Sequence, residues 1–439
     1  MNYSQTLTYL YEKLPMFSRL GAAAYKPDLV NTLALCERLG NPQDGLKTIH
    51  IAGTNGKGSV SHMLAAILQQ AGYKTGLYTS PHLKDFRERI RINGIPCSEQ
   101  FVIDFTQKID PAIDAIQPSF FEITVAMAFD YFRQEQVDIA IIETGLGGRL
   151  DSTNVIHPMV SVITSIGMDH MNLLGDNLEA IAGEKAGIIK KEVPVVIGKM
   201  DASLYPLFEK VVTQVSGSHS NSLFHLAVRE WEVVSMQLGN ELNIQVRETN
   251  TGNLIAYSLD LPGMYQQNNL LCVLSTIRIL QQKGWIIQPE QIQQALQQVV
   301  STTGLHGRWE TLQESPRVIA DVAHNEDGIR QLVQQLNYIH FQKLYIIIGM
   351  VKDKDVNRAL SQLPKTAAYI FSQAFIPRAM PADQLQQIAQ GYHLSGEVIP
   401  NVNDALEFAL SKATKDDLIL VCGSVFLVGE LDAIKTSHQ

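Results

Sequence analysis

From Lys47 onward the chain alternates short apolar runs with amphipathic ones, and no other feature constrains its fold as strongly. KTIHIAG, KTGLYTS, VDIAIIETG, MVSVITSIG and VPVVIG read as buried strands, whereas GSVSHMLAAILQQAG, FFEITVAMAFDYFRQEQ and NLEAIAGEKAGIIKK read as helices. Strands that alternate with helices build a mainly parallel sheet covered on both faces. The span from about Leu223 to Leu261 departs from this rhythm: near-alternating polarity broken by GNE and NTGN predicts antiparallel hairpins, a small β subregion of the same domain. Two helices follow, NNLLCVLSTIRILQQKG and PEQIQQALQQVV, the second opened by Pro289. STTGLHGRWE then reads as a connector, after which the βα rhythm restarts in RVIADVA, KLYIIIGM, AAYIF and DDLILVCGS.

At 439 residues and 45% apolar content the chain exceeds what one core serves. The expectation is therefore a parallel-sheet α/β domain with a phosphate loop over residues 1–301, carrying the small antiparallel subregion, and a smaller Rossmann-like α/β domain over 302–439. A net charge of −9 argues against nucleic acid as a partner. Cys36, Cys97, Cys272 and Cys422 stand far apart without a CxxC pair, so they predict buried thiols, neither disulfides nor a zinc site. The N-terminal stretch lacks a signal-peptide pattern and no run of about 18 apolar residues occurs, which predicts a cytoplasmic protein with no membrane partner; a monomer is expected.

HIAGTNGKGSV, His50 to Val60, follows the first strand and opens the first helix. It departs from GxxxxGK[ST]: Ile51 stands at the first glycine position, and Gly58 separates Lys57 from Ser59. The context still predicts a phosphate cradle. Free amides and the helix dipole face one point, Gly53, Gly56 and Gly58 let backbone approach phosphate, and Lys57 adds a charge. A glycine-rich turn with a surface lysine is the plainer alternative.

Ligands of open α/β sheets lie beyond the carboxyl ends of the strands. Lys57, Ser80, Glu143 and His170 all stand at such ends, and a hydroxyl, a carboxylate and an imidazole beside a phosphate loop suit Mg2+. Singly, each reads equally well as a cap, a solvated strand end or a bonded loop residue. In the second domain Asp321 and His324 of ADVAHN end one strand, Lys352, Asp353 and Asp355 of GMVKDKD follow another, and Arg308 sits in the connector. Polar tips on both sides of a connector predict a cleft that closes on ATP and a second substrate.

The motifs AGTNGKGS, YTSPHL, ERIRING, ETGLGGRLDSTN, TSIGMDH, GEKAGIIK, GRWE, DVAHN and KDKD, in this order, resemble those of the folylpolyglutamate synthase/dihydrofolate synthase family within the Mur ligase superfamily. The resemblance implies an ATP-dependent amide ligase that phosphorylates a carboxylate of dihydropteroate or a folate, whose acyl phosphate is then attacked by L-glutamate. It implies that Gly53, Thr54, Asn55, Gly56, Lys57, Gly58 and Ser59 hold the triphosphate and that Ser80, Glu143 and His170 hold Mg2+. Lys185 would be carbamylated, which requires a neutral amine favoured by burial. Asn269 and Asp321 would meet adenine and ribose, Arg308 the phosphates, and His324 the reacting carboxylate; Lys57, Lys185, Arg308 and His324 would be the catalytic set. Phe121, Asp151 and Ser152 would face the pterin. Tyr265-Gln266 and Leu270 depart from the family pattern on the adenine side, and the sequence assigns Glu122 no role. A Mur-type cell-wall amino acid ligase is the alternative enzyme, although it usually carries a further N-terminal domain; a nucleotide-binding switch leaves His170, Lys185, Arg308 and His324 unexplained.

Overall fold

The computed structural model describes residues 1–16, 21, 26–217 and 222–432. Its first sheet has eight strands: β1 (Thr48–Ala52), β2 (Thr75–Tyr78), β3 (Ile90–Ile92), β4 (Ile95–Pro96), β5 (Ile139–Glu143), β6 (Val160–Ile163), β7 (Val195–Ile197) and β8 (Phe224–Leu226). They lie in the order β4-β3-β2-β5-β1-β6-β7-β8. β1 pairs in parallel with both β5 and β6, and all five of its residues are buried. A central strand covered on both faces has no polar side to present, hence the continuous apolar run. β3 and β4 fold back antiparallel through Asn93-Gly94, both at positive φ (49° and 77°), the primed hairpin turn that this dipeptide favours.

A second sheet holds β9 (Trp231–Leu238), β10 (Leu242–Glu248) and β11 (Leu254–Leu259), all antiparallel. This is the expected subregion with one correction. Phe224–Leu226, taken from sequence as part of the hairpins, instead pairs in parallel with β7 and closes the large sheet. Three residues are too short a run to reveal their period. The inner face of the small sheet, Leu242, Ile244, Val246 and Leu259, joins one core with Val60, Leu64 and Leu68 of the helix Lys57–Gln70 and Leu270, Val273 and Leu274 of the helix Gln266–Gln282. Each such aliphatic side chain contributes roughly 1.5–3 kcal/mol by leaving water.

The third sheet comprises β12 (Glu310–Glu314), β13 (Arg317–Ala320), β14 (Leu344–Ile348), β15 (Ala368–Phe371), β16 (Gly396–Val398) and β17 (Leu418–Cys422), ordered β12-β13-β17-β14-β15-β16. All pairs are parallel except β12 with β13. Two elements end or begin elsewhere than their sequence suggested. The helix read through Lys191 stops at Ala186, where Gly187 caps it, and the start of STTGLHGRWE is helical (Val299–Thr303), its end already in β12. Pro289 opens its helix as expected. All four cysteines are free and buried. Among the described residues no helix is long and apolar enough to cross a membrane.

Candidate active site

The loop between β1 and the helix Lys57–Gln70 is clamped from the side by residues 164–167. Thr54 N donates to Ser165 O at 2.9 Å, and Thr54 Oγ1 exchanges hydrogen bonds with the Gly167 backbone. Ser165 Oγ accepts from Asn55 N at 3.0 Å and donates to Asn55 O at 2.9 Å. Gly56 caps the helix at φ 88°, and a Cβ there would stand 2.2 Å from Asn269 Oδ1. The amides of Lys57, Gly58 and Ser59 then lack an intrahelical acceptor, as at any helix start, and they face a cavity of about 260 Å³.

That cavity collects most of the residues singled out from sequence: Gly53 to Ser59, Ser80, Glu143, His170, Lys185, Arg308, Asp321 and His324 all line it. Lys57 Nζ folds back onto Gly53 O at 3.0 Å. Lys185, only 4% exposed, reaches the same carbonyl at 3.0 Å, and burial together with the nearby Lys57 charge lowers its amine to about 7. Burial raises the carboxyl of Glu143, which among the described residues stands in no ion pair and accepts only from Ser80 N at 3.3 Å. Burial and Lys354 hold His170 neutral, with its pKa lowered to about 3.

Asn269 lies outside the cavity lining. It packs beneath Gly56, donates to Gln266 Oε1 at 2.7 Å, and Gln266 in turn donates to Ser59 Oγ at 3.1 Å. Asp321 lines the cavity with its carboxylate already engaged: Oδ2 accepts from Tyr265 Oη at 2.6 Å and Trp309 N at 2.8 Å, and Oδ1 from Ala323 N at 2.8 Å. It therefore fixes the connector beside Arg308.

Three further residues complete the site. Asp169, preceding His170, accepts from Lys354 Nζ at 2.6 Å, Asn325 Nδ2 at 3.2 Å and His324 Nε2 at 3.4 Å. Lys354 Nζ also lies 2.9 Å from His170 Nε2, and the side-chain amides of Asn325 and Asn55 bond each other at 3.1 and 3.2 Å. This network joins the strand tips of the first sheet to those of the third. Lys352, Asp353 and Asp355, singled out in KDKD by sequence, line neither this cavity nor the larger one beside it. Asp353 pairs with Arg378, Asp355 caps the helix Val356–Ser361, and Lys352 is exposed, whereas Lys354 is the buried cation. Of the four charged residues in this segment only Lys354 lines the larger cavity, and nothing in the alternation of charges marks it out.

A second, larger cavity of about 780 Å³ adjoins the first, and Ser80, Pro81, Leu83, Gly145, Leu146, His170, His324 and Val425 line both. Phe121, Glu122, Asp151 and Ser152 lie in its wall. The Phe121 ring rests on Gly145, where a Cβ would stand 2.4 Å from Cζ. Glu122 caps its own helix through Ser119 N at 2.6 Å. Asp151 is 3% exposed and turns largely to its own loop, accepting from Leu146 N at 2.8 Å, Thr153 N at 3.0 Å and Thr153 Oγ1 at 2.5 Å.

Among the described residues no three His, Cys, Asp or Glu side chains could hold a metal by themselves. One buried unpaired carboxylate, one hydroxyl and one neutral imidazole fit a Mg2+ whose remaining ligands are phosphate oxygens and water.

A phosphate-loop domain whose strand tips meet those of a second α/β domain across a polar network defines an ATP-dependent ligase of the Mur type. Residues 51–277 match the Mur ligase middle domain and residues 307–425 the Mur ligase glutamate ligase domain. The chain is 34% identical over 418 residues to a dihydrofolate synthase/folylpolyglutamate synthase of Bacillus subtilis, covering 92% of this chain and 94% of that one. It is 32% identical over 440 residues to a folylpolyglutamate synthase of Lacticaseibacillus casei, covering 97% of each. Its fold matches that of E. coli FolC in complex with DHPP and ADP with a TM-score of 0.84 at 29% identity, covering 98% of this chain and 96% of that one. The chain belongs to the dihydrofolate synthase/folylpolyglutamate synthase family of the Mur ligases.

Proposed function

We propose that this protein ligates L-glutamate to dihydropteroate and to folates, with ATP as the activating substrate. One observation carries the reading: a phosphate cavity and a larger, aromatic-walled cavity open into each other at His170 and His324. A carboxylate presented from the larger cavity meets the γ-phosphate there. A carboxylate is a poor acyl donor until one oxygen becomes a phosphate leaving group, and phosphoryl transfer needs mainly positioning and charge neutralisation. The ADP held by the E. coli relative supports the nucleotide assignment.

In this reading the amides from Gly53 to Ser59, with Lys57 and Arg308, hold the triphosphate, and Ser80, Glu143 and His170 hold Mg2+. When bound, that cation neutralises phosphate charge. Ligation of the cation through His170 Nε2 would require Lys354 Nζ, now 2.9 Å from it, to move aside. Lys185 has the neutral amine that carbamylation requires, and His324 stands where the activated carboxylate lies. Asn269 and Asp321 face the adenosine side, Asn269 by supporting the loop and Asp321 by fixing the connector. Phe121 supplies the stacking face for the pterin, with Asp151 and Ser152 beside it. We place the division between the two domains near residue 302, in the segment from the helix Val299–Thr303 to β12. Glutamate-dependent release of ADP with dihydropteroate or tetrahydrofolate tests the function; ADP release that ignores glutamate and both acceptors contradicts it.

A further inference from the structure

Four cations line the larger cavity among the described residues: Lys26, Arg89, Lys354 and Arg378. Lys354 is matched by Asp169 and Arg378 by Asp353. Lys26, half-buried, is solvated and rests on Gln117 O. Arg89 differs: it is 6% exposed and, among the described residues, stands in no ion pair. Its neighbours are neutral. Nε donates to His82 Nδ1 at 2.8 Å, the guanidinium lies 5.4 Å from the centroid of the Phe120 ring, and the phenols of Tyr78 and Tyr11 stand near. Glu88, the acid that acts on Arg89 electrostatically, is occupied elsewhere, accepting from the amides of Leu83, Lys84 and Asp85 at 2.8, 3.1 and 2.9 Å. A buried guanidinium without a counter-charge is costly unless a ligand supplies one.

The ligand's charge follows from the place. His82 belongs to the loop whose Ser80, Pro81 and Leu83 line both cavities, so Arg89 stands beside the junction where the reacting carboxylate lies. His82 Nδ1 accepts from Arg89, which leaves its proton on Nε2 as a further donor. Resting on the folate-ligase reading, we propose that Arg89, assisted by His82, receives the non-reacting α-carboxylate of a folate that already carries glutamate. Dihydropteroate has a single carboxylate, the one that reacts, and does not use this receptor. Arg89 is thus a specificity-determining residue for chain extension as opposed to first addition.

The test compares tetrahydropteroyl-monoglutamate with its α-carboxamide, and both with dihydropteroate, by calorimetry and steady-state kinetics on wild type and Arg89→Gln. Wild type should bind the α-acid roughly tenfold or more tighter than the α-amide, the range of a charge-assisted hydrogen bond. In Arg89→Gln that preference should vanish, with the KM for the monoglutamate raised by a similar factor and the KM for dihydropteroate within about twofold of wild type. Equal affinity of wild type for acid and amide overturns the proposal without any variant, as does an Arg89→Gln protein that keeps the preference. Failure of wild type to ligate glutamate to any acceptor instead contradicts the proposed function, and the acid-to-amide binding ratio still decides the role of Arg89.

Discussion

The ammonium groups of Lys57 and Lys185 converge on one acceptor, the carbonyl oxygen of Gly53, each at 3.0 Å. Two cations on one oxygen are not a stable buried pair unless one gives up its proton, and the more deeply buried lysine does so. Burial first, and the Lys57 charge second, lower Lys185 to about 7. Its free amine is the minority form below that value and the majority above it. With dissolved CO2 held constant, carbamylation of Lys185 should rise as pH increases through 7, from about 10% free amine at pH 6 to about 90% at pH 8. Trapping the carbamate chemically and mapping it by mass spectrometry checks this; a signal that is flat with pH, or that survives in Lys185→Arg, places the modification elsewhere or nowhere.

Lys57→Ala and His170→Ala should each lower kcat/KM for glutamate ligation by about 10²–10³-fold, because charge developing at the phosphate loses a dedicated partner. Neither side chain belongs to an apolar core, so far-UV circular dichroism should stay at the wild-type signal. Turnover within threefold of wild type, measured on the same samples, removes that residue from the site.

Much of this arrangement is legible in the chain itself, and the reason is geometric. Strand ends of a parallel sheet share one edge, so Lys57, Ser80, Glu143 and His170 could be gathered without knowing any distance. What sequence could not supply was which residue fills the space between two sheets. Lys354, Asp169 and Asn325 form their contacts across separations of 155 to 185 residues in the Asp169 and Lys354 pairs, and no local periodicity encodes that. Phe224–Leu226 went astray for the opposite reason: three residues carry too little pattern to distinguish a parallel edge strand from a hairpin arm.

Asp169 should matter to stability as well as to catalysis. Asp169→Asn leaves the buried Lys354 ammonium, 7% exposed, without its counter-charge, at a cost of about 3–5 kcal/mol. Adding Lys354→Met should recover part of that loss, since no unpaired charge then remains. Urea unfolding of the two variants and wild type measures both effects. A single mutant within 1 kcal/mol of wild type shows that this network does not hold the strand tips together.

Buried neutral histidine gives the fold a defined acid sensitivity. His50 in β1 is fully buried, bonded among the described residues only to Thr153 Oγ1 at 2.8 Å, and burial lowers its pKa to about 3. The unfolded chain protonates the same ring near 6.5. The unfolded state therefore binds more protons between these values, and stability falls as pH drops below 6.5, by about 1.4 kcal/mol for His50 at pH 5.5. Unfolding free energies at pH 7.5 and 5.5 should show His50→Gln with a correspondingly shallower dependence than wild type. An unchanged dependence means His50 accepts its proton in the folded state.

The central claim is that ATP activates the acceptor's carboxylate as an acyl phosphate before glutamate attacks. Dihydropteroate labelled with heavy oxygen in its carboxylate, incubated with wild-type protein, ATP, Mg2+ and L-glutamate, follows the bond directly. Acyl-phosphate activation places one carboxylate oxygen in the inorganic phosphate released with each amide formed, and mass spectrometry of that phosphate should find the label in equal amount to product. Amide formation with unlabelled phosphate, the expelled heavy oxygen appearing in water instead, would contradict it.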